Sequence, residues 1–100
     1  MLHFVILNHG PENCPGLDNT VRDRVLKMSS TMEEVLRAHD CTMQGGWISR
    51  SAHATFIVVD GPNAHTVDEL MIDLGLAAWN TATVYPVITL QEAVEGLAPQ

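Results

Sequence analysis

The first apolar run, LHFVILN at positions 2–8, is hydrophobic on both parities, with Phe4 and Ile6 alternating with Val5 and Leu7. Closed by the breaker-rich stretch HGPENCPG, it predicts a buried strand over Leu2–Asn8. The period then changes. Val21, Val25, Met28, Met32, Val35 and Leu36 recur at helical spacing within LDNTVRDRVLKMSSTMEEVLRAHD, which predicts a helix with one core stripe, capped by Asp18 or Asn19. CTMQGGWISR and AHATFIVVD, parted by little more than Ser51, return to alternation and β-branched residues and read as an antiparallel hairpin. Gly45 and Gly46 inside its first arm mark a bulge or a close backbone approach. After the turn at 61–63, Val67, Leu70, Met71 and Leu74 predict a second helix ending near Gly75. WNTATVYPVIT supplies a fourth strand, and Pro86, which has no N–H to donate, puts it at a sheet edge or gives it a bulge. Thr89 and Glu92 have capping-box spacing for a short terminal helix over Leu90–Gly96.

The order βαββαβ suits an α+β, ferredoxin-like sandwich: a four-stranded antiparallel sheet with two helices on one face, as one domain over residues 1–100. Both parities of the first strand are apolar, so the second sheet face also needs a cover, and a partner's sheet is the simplest one. This order and patterning resemble the dimeric α+β barrel superfamily, in which two such sheets pack face to face. GGWISRSAHATFIVVDGPN followed by TATVYPVITLQEAV is similar to the hairpin and closing strand of small, functionally uncharacterised members of that superfamily. It is loosely similar to a nickel-binding group within it as well. The resemblance implies a homodimer through the open sheet face. Muconolactone isomerases, cofactor-free quinone-forming monooxygenases and haem-degrading monooxygenases share the superfamily. Their diagnostic residue sets are not recognisable in this chain, so no site residue is transferred from them.

Composition adds limits. The chain is 46% hydrophobic and 17% charged, against about 25% charged in an average soluble domain, which fits a surface buried against a second subunit. A net charge of -7 with five Lys and Arg opposes binding to nucleic acid, which needs a basic patch. The opening MLHFVILNHG lacks a positive n-region and is too short to span a bilayer, so no signal peptide or membrane segment is expected and the location is read as cytoplasmic. Two cysteines in that setting are expected as thiols.

The topology then gathers the chemistry. In a split βαβ sheet the end of strand one meets the start of strand three, which brings His9 beside His53, with Glu12 and Cys14 on the loop leaving the same edge. Arg50, Trp79 and Asn80 belong to this edge; His3, His39, Cys41 and His65 belong to the opposite one. Cys14 and Cys41 would stand a strand length apart, ~17–20 Å, well beyond the ~4.4–6.8 Å Cα separation of a disulfide. Whether His9 and His53 share a face depends on register. Imidazole, thiolate and carboxylate together bind nickel, zinc, copper or iron, making His9, Glu12, Cys14 and His53 a candidate ligand set. Three other readings stay open. The loop reads as a turn in which Glu12 or Asn13 satisfies backbone amides. Cys14 near a helix N-terminus is a potential nucleophile with His9 or His53 as its base. A His general base in a pocket lined by Trp47, Phe56, Trp79 and Tyr85 would suit a cofactor-independent isomerase or monooxygenase. A non-catalytic subunit of a larger complex is a further class that fits the apolar composition. Elsewhere, His3 is expected to be packed and hydrogen-bonded or at an interface, His39 to sit at a helix C-terminus, and His65 to be exposed. The reading adopted is a small-ligand-binding protein that holds a transition metal.

Overall fold

In a computed structural model, which describes residues 1–97, the alternating segments become β1 (Leu2–Asn8), β2 (Thr42–Ser49), β3 (Ala54–Asp60) and β4 (Thr81–Val87). The helical periods become α1 (Asn19–Ala38), α2 (Ala64–Asp73) and α3 (Leu90–Leu97). The strands form one antiparallel sheet in the order β2-β3-β1-β4, and the fold is α+β and ferredoxin-like. Pro86 lies on the edge strand β4, where a missing N–H leaves no ladder bond unmade.

Register sorts the residues by face. His3, Val5 and Leu7 of β1 stand opposite Val59, Ile57 and Thr55 of β3, and this layer lies under the helices. Val5, Leu7, Ile57 and Val59 meet Leu36 of α1 and Val67, Leu70, Met71 and Leu74 from the α2 region in a single core. Each such side chain contributes roughly 1.5–3 kcal/mol of burial. The α1 stripe behaves as its spacing predicts: Val21 and Leu36 are buried, and Met28, Met32 and Val35 pack at the core margin. The other sheet face carries Phe4, Ile6, Phe56 and Val58, only partly covered, with Trp47 and Tyr85 exposed. Among the described residues no helix is long and apolar enough to cross a membrane.

Capping explains the boundaries. Asp18 caps α1 by accepting from the Val21 N–H at 3.0 Å, and Asn63 caps α2 by accepting from the Thr66 N–H at 2.8 Å. Thr89 Oγ1 accepts from the Glu92 N–H at 3.0 Å, so α3 has the cap its spacing predicts. The strand register slips between Met43 and Gly45, leaving Gln44 as the bulge residue beside the glycine pair.

Three boundaries differ from expectation. β4 starts at Thr81 rather than Trp79, because Gly75 takes a left-handed φ of 78° and the chain adds a 3-10 turn over Leu76–Ala78 before the strand. Residues 50–53 form a four-residue turn between β2 and β3, so Arg50 and His53 leave the strands. A second 3-10 turn, Pro11–Asn13, occupies the loop after β1. His3 also departs in part: it is fully buried, yet neither ring nitrogen has a hydrogen-bond partner among the described residues.

Candidate metal centre

The β1–β3 ladder runs to its last pair, Asn8 opposite Ala54, and is extended by a bond from the His9 N–H to the His53 carbonyl at 3.1 Å. That bond fixes the backbones of the two histidines side by side. His53 N–H donates to the Arg50 carbonyl at 3.3 Å, closing a β-turn, and His53 itself takes φ 50°. A left-handed, non-glycine residue after a turn is the conformation that usually calls for Gly or Asn. Here an imidazole occupies it and is aimed back toward His9. The two rings lie edge to face with centroids 5.2 Å apart.

Cys14 arrives from the other side. The Pro11–Asn13 turn is closed by the Cys14 N–H donating to the Pro11 carbonyl at 3.2 Å, and the Cys14 carbonyl accepts from Leu17 N–H at 2.9 Å and Asp18 N–H at 2.8 Å. Arg22, one turn into α1, donates from Nε to the Pro15 carbonyl and from a terminal nitrogen to the Gly16 carbonyl. The loop is thereby tied to the helix at both ends of the Cys14–Gly16 segment.

One ligating atom from each of His9, Cys14 and His53 falls within 4.8 Å of the others. All three residues are half-buried. His9 Nε2 and His53 Nδ1 are buried and have no hydrogen-bond partner among the described residues, the arrangement in which an unpaired lone pair costs most unless a ligand takes it up. Glu12 stands apart from this group: it is exposed, and its carboxylate lies where a side chain at Gly10 would be. Both histidines lie just beyond the last ladder pair, and it is the left-handed His53, not strand alternation, that brings its ring against His9.

Second-layer contacts come from the segment before β4. Trp79 stacks at a tilt on His9, centroids 5.1 Å apart, and Asn80 Oδ1 lies 3.3 Å from His9 Nδ1. Trp79 and Asn80 were legible as edge residues but not as contacts of His9, because their placement depends on the 3-10 turn that precedes them. Beside the cluster, a cleft of about 460 Å³ is lined by His9, Cys14, Pro15, Gly16, Ser49 and Arg50, together with Ile48. A second cavity of about 280 Å³ continues under α1, sharing Pro15 and Ile48 with the first, and its walls include Met28, Met32, Met43 and Trp79. At the opposite edge Cys41 is buried; both cysteines are free thiols.

No family model matches the chain, and no curated protein matches it. Among solved structures it is similar to SCO4226 from Streptomyces coelicolor A3(2), at 14% identity and a TM-score of 0.57 over 87% of this chain and 96% of that one. At this identity the likeness speaks for the fold alone.

Proposed function

We propose that the protein binds a transition metal ion at the β1–β3 edge, with His9, His53 and the thiolate of Cys14 as donors. The observation that carries this reading is the approach of those three ligating atoms to within 4.8 Å of one another. Two imidazoles and one thiolate suit zinc, copper, nickel or iron, and none of these donors suits calcium or magnesium. Glu12, expected as a fourth donor, is exposed with its carboxylate against Gly10 and lies outside the three-donor group. The adjoining cleft leaves room for a small molecule at an open position on the metal. Elemental analysis of protein purified without added metal, repeated on His9→Ala and His53→Ala, tests the reading. One equivalent in the wild type and close to none in the variants is expected; equal metal in all three proteins would sink it.

The apolar cavity under α1, next to the cleft that His9 lines, favours one second reading, a cofactor-independent isomerase or monooxygenase with His9 or His53 as general base. Turnover that survives complete chelation would select it over the metal.

The same reading includes a homodimer. Phe4, Ile6, Phe56 and Val58, with exposed Trp47 and Tyr85, form a continuous apolar sheet face. Leu90, Val94 and Leu97, exposed on α3, add a second apolar surface to the same chain. Light scattering at micromolar concentration is expected to give twice the chain mass, and Trp47→Lys with Phe56→Lys is expected to return it to the monomer value.

A further inference from the structure

We propose that Asn80 is a positioning residue that holds His9 as the Nδ1–H tautomer, so that Nε2 is the nitrogen offered to a metal. The inference rests on the metal reading for its purpose and on hydrogen-bond geometry for its content. Asn80 Nδ2 donates to the Leu76 carbonyl at 3.0 Å. A carbonyl only accepts, so the amide cannot be turned round without setting two oxygens against each other. Its Oδ1 is therefore the atom 3.3 Å from His9 Nδ1. That oxygen only accepts as well, which makes Nδ1 the donor. Neutral imidazole carries one N–H, so Nε2 keeps its lone pair. This is the nitrogen that is buried without a partner among the described residues. Trp79 also packs against the ring at a tilt, with centroids 5.1 Å apart.

Gly75 and the Leu76–Ala78 turn explain why an asparagine stands at this position. The left-handed Gly75 lets the chain turn sharply after α2, and the Leu76 carbonyl then faces back to accept from the Trp79 N–H, the Asn80 N–H and the Asn80 side chain. The amide is anchored by its donor end, with its acceptor end aimed at the histidine. Imidazole ligands in metal sites characteristically donate their second N–H to such an oxygen, and loss of that partner costs about 10–100-fold in metal affinity.

Substitution separates this role from simple support of the turn. Asn80→Asp keeps the acceptor toward His9 but sets its second oxygen against the Leu76 carbonyl, whereas Asn80→Ala loses both groups. The Leu76 carbonyl retains two backbone donors in either variant. Nitrogen-15 NMR of the histidine rings in metal-free protein at pH 8 is expected to show His9 as Nδ1–H in the wild type and in Asn80→Asp, and a mixture in Asn80→Ala. Zinc titration is expected to show affinity retained by Asn80→Asp and lowered about 10–100-fold by Asn80→Ala. Support of the turn alone would weaken Asn80→Asp at least as much as Asn80→Ala. An Nε2–H tautomer in the wild type, or wild-type zinc affinity in Asn80→Ala, overturns the proposal. If the wild type binds no metal while His9 is Nδ1–H, the tautomer assignment stands and the metal reading fails by itself.

Discussion

The two ends of the β1–β3 ladder carry nearly the same residue types and put them to different uses. One end has His9, His53 and Cys14; the other has His3, His39 and Cys41. Each also has one non-glycine residue in the left-handed region, His53 at φ 50° and Asp40 at φ 54°. At the far end the polar groups other than His3, whose two ring nitrogens have no partner among the described residues, are committed to one another. Cys41 Sγ donates to the His39 carbonyl at 3.4 Å, His39 Nε2 lies 2.7 Å from an Asp73 carboxylate oxygen, and the terminal amine pairs with Asp60 at 2.9 Å. His3 lies apart from them, level with Val59 and Pro86 on the neighbouring strands. At the near end His9 Nε2 and His53 Nδ1 have no such partners among the described residues, and His9 and Cys14 line a cleft. A His and Cys inventory therefore does not mark a site. Convergence of uncommitted donors does.

The strongest way to break this comparison is to remove donors at each end. Apparent binding energies of about 10–16 kcal/mol for four-ligand zinc sites divide into about 3 kcal/mol per donor, or roughly 100-fold in affinity. Cys14→Ser is expected to lose about that much in a zinc titration, and Cys41→Ser nothing. Equal losses would erase the distinction between the ends. A smaller effect reads the two left-handed residues. An L side chain there costs about 1–2 kcal/mol, and glycine gives back part of the relief through the unfolded chain. Both His53→Gly and Asp40→Gly are expected to gain up to about 1 kcal/mol in urea unfolding. His53→Gly should lose the metal as it gains stability, whereas Asp40→Gly should keep it. A loss of stability in His53→Gly would mean that its conformation carries no stored cost.

Periodicity made most of the fold legible. The two apolar parities of β1, the α1 stripe and the β-branched hairpin specify element types, and antiparallel topology follows from their order. The same topology places His9 and His53 at one edge. What stayed hidden was set by backbone conformation and packing. Nothing in Arg50-Ser51-Ala52-His53 announces a left-handed histidine, because that position ordinarily attracts Gly or Asn. The contact of Asn80 with His9 depends on Gly75 and the turn after it, a feature of a few residues with no period to read. The cavity under α1 arises from how the methionines pack, and their spacing is equally that of a filled core.

The smallest expected effect concerns the thiol at the committed end. Burial pushes the Cys41 thiol above its ordinary value, and the nearby carboxylates of Asp40 and then Asp60 add to the rise. The folded protein thus keeps the proton after an unfolded chain would have released it. Stability from this group is present below about pH 9 and declines as pH climbs toward the raised folded value. Asp40 is exposed, so its share is screened, and such interactions are worth about 0.2–1 kcal/mol. Asp40→Asn is therefore expected to speed alkylation of Cys41 by iodoacetamide at pH 8.5 by no more than about fivefold, with no change at Cys14. Burial dominates, so Cys41 should remain the slower thiol even in the variant. If Asp40→Asn made the two cysteines react equally fast, charge rather than burial would be what keeps the far end inert, and the contrast between the ends would rest on Asp40 instead of on packing.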